Sequence, residues 1–167
     1  MTEIPDLSSH PGVLRVLAAL RAAGVDPDVV VLPEATRTAA LAAAALGITT
    51  AEICNSLIFA ATHPDGSVGP LLVLASGGHR VDVGVVRDQL GLAAIGRADA
   101  DRVREWTGFA IGGVAPVGHL RDVPTVIDLD LAAYPHVWAA AGHAHTVYRT
   151  TFDELVQVTG ARPIRVT

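Results

Sequence analysis

The chain has 167 residues and a single cysteine, Cys54, so it is the size of one ordinary domain and cannot form a disulfide framework. Its formal net charge of −5 argues against broad sequence-independent binding to nucleic acid, DNA included, because such binding depends on clustered Lys and Arg, although a local basic rim stays compatible with it. It has no apolar run of the length that a membrane span needs and no basic secretory leader, so we expect a cytoplasmic protein without a membrane partner.

The first part of the chain predicts two helices around one short strand. PGVLRVLAALRAAG, from Pro11 to Gly24, has the apolar spacing of an amphipathic helix with proline in its first turn. The β-branched run VVVLP at 29–33 is typical of a strand. Thr38 is placed to cap the helix TAALAAAALG, which Gly47 would end.

The next part predicts a β-hairpin. Thr50 is expected to cap one short helical turn before the strand ICNSLIFA at 53–60. The turn cluster HPDGS at 63–67 leads into a second strand, GPLLVLAS, which begins at Gly69.

Two helices and a strand follow the hairpin. VDVGVVRDQLG reads as a helix, and Asp82 at its start is more simply a helix cap than a catalytic group. AAIGRA reads as a strand, and DADRVREWTG as an acid-started helix that ends at Gly108.

The last part predicts three strands, a helix and a short final strand. TVIDLDL at 125–131, VWAAAG at 137–142 and HTVYRTT at 145–151 are the strands. Thr151 and Glu154 have the spacing of a capping box for the helix TFDELVQVTG, and PIRVT ends the chain. The elements do not alternate regularly, so the expected α/β (α+β) fold is a mixed curved sheet or partly closed β-barrel with helices packed outside.

The segment TGFAIGGVAPVGH at 107–119 is unusually rich in glycine, with Pro116 to stiffen it. Successive backbone N–H groups in such a loop can bind an oxyanion or a carbonyl oxygen. The segment lacks the Lys of a phosphate-binding Walker loop and lies after a helix, unlike a dinucleotide fingerprint. A plain tight connection is an equally good explanation of the glycines.

Five segments in this order resemble the YbaK/EbsC family, the free-standing relatives of the editing insertion domain of prolyl-tRNA synthetase. The resemblance covers roughly residues 30–165, and its most specific block is the glycine-rich one. The segments are LGI at 46–48, NSLIF at 55–59, VD at 81–82, TGF..GGVAPVG at 107–118 and VIDLDL at 126–131.

The resemblance implies a single YbaK-like aminoacyl-tRNA deacylase domain over 1–167, with 1–27 as an N-terminal helical extension. Members hydrolyse the ester of a mischarged aminoacyl-tRNA, commonly one on the proline tRNA, as a step in translation fidelity. Aminoacyl-tRNA is then the expected partner, prolyl-tRNA synthetase a candidate partner, and neither a cofactor nor a metal is expected.

The resemblance also assigns site residues. The loop that holds the aminoacyl carbonyl corresponds here to Gly112, Gly113, Val114, Ala115 and Pro116. Beyond what the resemblance assigns, we expect the substrate-binding set to comprise Asn55, Ser56, Thr107, Gly108, Gly142 and His143. No conventional triad is visible, so the attacking water would be activated by a substrate group such as the terminal ribose hydroxyl.

Asn55 departs from the family pattern, because it stands where the family usually carries a lysine near the terminal adenosine of the tRNA. A neutral amide forms hydrogen bonds but brings no charge to a phosphate. Two hypotheses follow: a divergent deacylase, or an inactive module that still binds an aminoacyl ligand. A third and weaker hypothesis is a hydrolase of an unrelated ester.

Several other residue types invite a chemical role. Cys54 is better explained as a small buried residue than as a nucleophile. The histidines at 136, 143 and 145 are weak candidates for a metal site and better ones for a loop rim that orients substrate. His119 ends the glycine-rich segment and could touch substrate, whereas His79 is expected in an exposed turn.

Asp128 and Asp130 should share one face of their strand, either as an acid and base pair or, preferably, as a solvent face. Trp106 and Trp138 are expected in the core or a pocket wall rather than as base-stacking platforms. The arginines near predicted loops or strand ends are candidate tRNA contacts, namely Arg37, Arg80, Arg121 and Arg149.

Overall fold

The computed structural model describes residues 6–33, 35, 36 and 38–167. Within these ranges the α-helices are α1 (Pro11–Ala22), α2 (Ala39–Leu46), α3 (Val83–Leu90), α4 (Ala100–Thr107) and α5 (Phe152–Thr159). The strands are β1 (Val29–Val31), β2 (Ile53–Thr62), β3 (Val68–Ser76), β4 (Ala94–Arg97), β5 (Thr125–Asp128), β6 (Val137–Ala140), β7 (Thr146–Thr150) and β8 (Arg162–Ile164). Two 3₁₀ helices span Thr50–Glu52 and Leu129–Ala133.

All eight strands belong to one mixed sheet, in the order β1-β7-β6-β2-β3-β5-β8, with β4 paired to β2 beside β6. The long hairpin β2–β3 forms its centre. β6 runs parallel to β2, and β5 runs parallel to β3 and β8. The prediction of a mixed sheet is confirmed, and the sheet is open rather than closed into a barrel.

The helix ends follow the sequence signals. The side chains of Thr38, Asp82 and Thr151 accept N–H bonds from the first turns of α2, α3 and α5, as predicted. Glycines in the left-handed conformation end four of the five helices: Gly47, Gly91, Gly108 and Gly160. Local chemistry therefore sets these boundaries.

Two capping predictions need correction. Thr50 is not a cap, because it is already the first residue of its 3₁₀ helix, and Thr49 precedes it with its N–H bonded to the Glu52 carboxylate at 3.2 Å. Only one of the two hydrogen bonds of the predicted capping box at the start of α5 forms. The N–H of Glu154 donates to Thr151 Oγ1 at 3.1 Å, but the Glu154 carboxylate accepts from the hydroxyl of Thr150 at 2.7 Å instead.

The strand predicted at 125–131 ends early, at Asp128. The Asp128 carboxylate accepts the N–H of Asp130 at 2.9 Å and starts a 3₁₀ helix there. The side chain of Asp128 is 2% exposed and that of Asp130 is 68% exposed, so the prediction that they share a strand face is wrong. The strands at 137–142 and 145–151 are likewise shorter than predicted.

α1 packs into the main core rather than lying beside it. Val16 and Leu20 are fully buried in the same hydrophobic cluster as Phe109 and Leu155, which come from the glycine-rich segment and α5. Trp106 lies in the same core, as predicted. No helix in the described ranges has the length and apolar character needed to cross a membrane.

The backbones of α1 and of the turn after β6 touch directly. A Cβ added at Gly12 would lie 2.5 Å from the carbonyl oxygen of Gly142, and a Cβ at Gly142 would lie equally close to the Gly12 carbonyl oxygen. Because an added Cβ would overlap the facing carbonyl oxygen, there is no room for a side chain at either position.

This contact predicts that Gly12→Ala is destabilising although alanine is the better helix former. We expect the free energy of unfolding to fall by about 1 to 3 kcal/mol, the usual cost of overpacking. Urea denaturation measures the change. The matched control is Gly69→Ala, since a Cβ there meets nothing within 4 Å, and a Gly12→Ala protein as stable as this control would contradict the contact.

Candidate active site

The central strand β2 lacks a neighbour along part of one side. It pairs with β3 from Cys54 to Thr62, but on its other side it pairs with β6 only at residues 53–54 and with β4 only at 59–62. Residues 55–58 therefore face a gap in the sheet.

The hydrogen-bond pattern shows which peptide groups face this gap. Leu72, the cross-strand partner of Ile58, donates its N–H away from β2. The Thr62 carbonyl accepts from Ala93 on the β4 side at 2.8 Å. Because the direction alternates along an antiparallel strand, Ser56 and Ile58 also direct their N–H and C=O groups away from β3 and into the gap.

A cavity of about 470 Å³ occupies the gap, a volume in the usual range for a small-molecule site. Its wall combines β2, β6, the end of β4, the start of α2 and part of the glycine-rich segment. The lining residues are Thr36, Thr38, Ala39, Ala42, residues 53–59, Arg97, Ala98, Val103, Ile111, Gly112, Val114, residues 138–140 and Val147.

The segment at 107–119, called the glycine loop below, begins at a closed helix end. The Thr107 hydroxyl donates to the carbonyl of Val103 at 2.6 Å and accepts the N–H of Phe109 at 3.1 Å. Gly108 ends α4 in the left-handed conformation. Thr107 and Gly108 are thus engaged in fixing the start of the loop, and the cavity lining contains neither of them.

One arginine from α1 holds both ends of the glycine loop. Arg15 donates from Nη2 to the carbonyl of Gly108 at 2.8 Å and from Nε to the carbonyl of Gly118 at 3.2 Å. Its guanidinium lies 4.8 Å from the centre of the Phe109 ring. Charge-assisted hydrogen bonds and a cation–π contact make this a firm attachment.

The glycines of the loop have two different tasks. A Cβ at Gly113 would lie 3.0 Å from His143 Cα, and one at Gly118 would lie 3.0 Å from the backbone of Val16, so both permit close packing. Gly112 instead lines the cavity, and its φ of 90° is a conformation that L side chains rarely adopt.

Several backbone donors of the loop are unused in the described structure, among them those of Gly112, Val114 and Ala115. Gly113 donates its N–H to Ala110 at 3.0 Å. Among the described residues, no acceptor in the chain pairs with the N–H of Gly112, Val114 or Ala115. Since Gly112 and Val114 line the cavity, unpaired N–H groups of a fixed loop lie at its wall.

The structure brings some of the expected site residues together and leaves others apart. Asn55, Ser56, Gly112 and Val114 meet at the cavity wall. Gly142 and His143 pack against α1 and the glycine loop instead, and the roles assigned to them stay predictions. The remaining loop members outside the lining are Gly113, Ala115 and Pro116.

Cys54 is a buried residue rather than a nucleophile, as expected. Burial raises the pKa of its thiol to about 12, and the negative charge of Asp128 adds to the rise. The thiol is therefore protonated at neutral pH, although the residue borders the cavity.

The histidines near the end of the sheet hold turns. His143 lies with its ring against those of His10 and His145. His145 Nδ1 is 2.9 Å from the carbonyl of Leu32. In the described part of the chain, only one group of three residues has metal-ligand spacing, and it includes none of His136, His143 and His145. The expected absence of a metal at these histidines stays a prediction.

That group of three is His79, Asp128 and Asp130. His79 Nδ1 lies 2.8 Å from Asp128, and Nε2 lies 3.2 Å from Asp130. His79 closes a turn, as the sequence indicated, since its N–H donates to the carbonyl of Ser76 at 3.0 Å, but only 26% of its side chain is accessible. The cluster attaches the segment after β3 to the end of β5.

Sequence reasoning missed Arg15 and Arg97 and found the wall residue Trp138. Neither arginine lies in a motif, so no local signal could have identified them. Of the proposed tRNA contacts, Arg37 lies outside the described residues. The others are exposed and absent from the cavity lining, and they stay predictions: Arg80, Arg121 and Arg149.

His119 braces the glycine loop from within. Its Nε2 lies 2.8 Å from the carbonyl of Ala115, and its ring packs edge-on against Phe109. Burial lowers the pKa of His119 below its ordinary 6.5, the nearby Arg15 charge lowers it as well, and the bond to Ala115 opposes both.

This environment predicts a loss of stability in mild acid. Below pH 6.5 the unfolded chain protonates His119 while the folded chain resists, so the free energy of unfolding falls as pH drops from about 6.5 through the lower folded-state pKa. Urea denaturation at pH 7.5 and 5.5 measures the loss. His119→Gln should lose less stability than the native protein, and an equal loss would contradict this assignment.

Comparison with known proteins places the chain among aminoacyl-tRNA editing domains. It matches the aminoacyl-tRNA editing domain family over residues 33–158. A crystal structure provisionally described as a trans-editing enzyme for prolyl tRNA synthetase is 41% identical, with a TM-score of 0.84 over 94% of this chain and 97% of that one.

Two further relatives have no described activity. The hypothetical protein APE2540 is 30% identical, with a TM-score of 0.81 over 91% of this chain and 98% of that one. The uncharacterized Bacillus subtilis protein YwhH is 29% identical over 128 residues, which are 77% of this chain and 78% of that protein.

Proposed function

The chain belongs to the aminoacyl-tRNA editing domain family, and on that premise we propose that it is a trans-editing hydrolase that cleaves the ester of mischarged aminoacyl-tRNA, on the proline tRNA. The observation that carries the proposal is the pair of unpaired N–H groups at Gly112 and Val114, two residues that line the cavity. The likeness to the prolyl trans-editing structure supports the choice of tRNA.

The reaction needs little more than these donors. Water attacks the ester carbonyl carbon, negative charge develops on the carbonyl oxygen, and the carbon–oxygen bond to the ribose then breaks. The N–H groups of Gly112 and Val114 stabilise that oxygen, and a donor of this kind is worth about 10²- to 10³-fold in rate. Free amino acid and tRNA are the products.

The proton of the attacking water goes to the substrate in this mechanism. Cys54 is protonated, and no described residue of the cavity wall is a carboxylate or a histidine. The free ribose hydroxyl of the terminal nucleotide takes this proton from the water and passes its own proton to the neighbouring ribose oxygen, which leaves as a hydroxyl when the ester bond breaks. The chain therefore orients the ester and stabilises charge, while the substrate supplies the acid and base groups.

The gap in the sheet provides polar groups for the aminoacyl part. The Ser56 carbonyl faces the gap and accepts a hydrogen bond from the α-ammonium group, and the apolar walls limit the size of the side chain. Such walls separate amino acids that differ by one methylene by only about 1 to 3 kcal/mol. Selection of the amino acid therefore rests mainly on exclusion by size.

We predict that Gly112→Ala lowers kcat/KM for deacylation by about 10²-fold or more, because a side chain at φ 90° displaces the donor N–H groups. The measurement is the release of labelled amino acid from a panel of mischarged tRNAs. Gly66→Ala is the matched control, since Gly66 has φ 87° in the hairpin turn with open space around it. Equal activity in both variants would contradict the role of the loop.

Asn55 supports a second candidate function, a module that binds an aminoacyl ligand without hydrolysis. It lies half-buried in the cavity wall and brings no charge to the site. Loss of a cationic contact weakens the hold on the nucleotide and slows the reaction or redirects it to another substrate.

Asn55→Lys separates the two functions. If the neutral amide limits the reaction, Asn55→Lys hydrolyses the mischarged proline tRNA about tenfold faster than the native protein. Asn55→Gln adds length without charge and should not increase the rate. A native protein that hydrolyses none of the panel, with activity only in Asn55→Lys, would identify the binding module. Unchanged hydrolysis by Asn55→Lys would show that Asn55 does not limit the reaction.

A further inference from the structure

Arg97 is the last residue of β4 and lies at the cavity wall. Its side chain is exposed, and Ala98 directly after it is buried against the main core. The backbone of Arg97 is therefore fixed by its pairing in β4 and by the buried Ala98 that follows it. The exposed guanidinium lies where the cavity meets solvent.

Arg97 is the only described residue of the cavity lining with a side chain that is charged at neutral pH. Three other arginines have partners in the chain: Arg15 holds the glycine loop, and Arg21 and Arg87 pair with aspartates. Among the described residues Arg97 has no ion pair and no side-chain hydrogen bond. Its five donors are thus available to a ligand.

The sheet register places Arg97 on the same face as Asn55. Arg97 pairs directly with Phe59, and directly opposed side chains lie on one face of a sheet. Asn55 and Phe59 are four residues apart on β2, so their side chains share that face at a separation of about 13 Å. The two residues thus line one side of the gap.

We propose that Arg97 binds a backbone phosphate at the 3′ end of the tRNA, and that it supplies the charge that Asn55 lacks. This inference rests on the proposed function for the identity of the ligand. When the aminoacyl ester lies at the glycine loop, the attached nucleotides extend out through the opening where Arg97 lies. Guanidinium is the side-chain group best matched to a phosphate, which it can bind with two parallel hydrogen bonds.

The test measures binding without requiring catalysis. A fluorescent single-stranded oligonucleotide that ends in CCA is titrated with protein at several salt concentrations. Loss of one phosphate contact reduces the slope of log K against log salt by about 0.7. We expect Arg97→Gln to show this reduction with roughly tenfold weaker binding at low salt, and Arg97→Lys to retain the native slope.

Arg162→Gln is the matched control, because Arg162 is an exposed strand arginine on β8, at the far edge of the sheet. It should bind as the native protein does, and urea denaturation verifies that each variant is folded. Binding and slope unchanged in Arg97→Gln would overturn the inference, as would a native protein that does not bind the oligonucleotide.

Deacylation kinetics distinguish failure of this inference from failure of the proposed function. With an active native protein, Arg97→Gln should raise KM for mischarged tRNA about tenfold with kcat changed much less. If the native protein binds the oligonucleotide through Arg97 but hydrolyses no aminoacyl-tRNA, the proposed function fails and the phosphate contact stands. If hydrolysis occurs with the same KM in both proteins, the contact fails and the function stands.

Discussion

The attachment of the glycine loop to α1 is the constraint on which the site depends. Arg15 bonds to the carbonyls of Gly108 and Gly118, so one side chain fixes the two ends of the loop. The backbone of α1 also lies against Gly118, and the turn after β6 lies against Gly113. Donors held this way need no reorganisation when charge develops on a bound carbonyl oxygen, which is the condition for electrostatic catalysis by a backbone.

The second requirement is an opening in an otherwise continuous sheet. β6 and β4 share one side of β2 without meeting, and residues 55–58 are left facing the cavity between them. The strand thus contributes peptide groups as well as side chains to the site. The glycine loop and the strand β2 therefore make the same kind of contribution. Each is a rigid element that presents unpaired main-chain groups in a cavity wall that is mostly apolar.

The sequence predicted those features that local chemistry determines. Thr38 and Asp82 accept bonds from N–H groups two or three residues away, and Gly47 ends a helix by its own conformation, so each prediction needed only neighbouring residues. The glycine loop and Asn55 were also found, through the family resemblance. The mixed sheet followed from the irregular order of elements, but its open gap depends on long-range pairing that no local pattern encodes.

The features that the sequence could not predict depend on distant partners. Arg15 lies 93 residues from one of its acceptors and 103 from the other, and its own segment reads as an ordinary amphipathic helix. The strand at 125–131 ends early because the buried carboxylate of Asp128 also bonds to Ser76 and His79. Tertiary hydrogen bonds overrode the alternating pattern there. Arg97 acquired its place only when β4 paired with β2.

The central claim is that backbone N–H groups of the glycine loop bind the carbonyl oxygen of the substrate. The most direct test is to follow the amide resonances of the labelled protein while an amide-linked, non-hydrolysable aminoacyl-adenosine is added. The account predicts large shifts at Gly112 and Val114, which line the cavity, with a smaller one at Gly113, whose N–H is already bonded to Ala110. Saturable shifts confined to another part of the chain, with the loop amides unmoved, would contradict it.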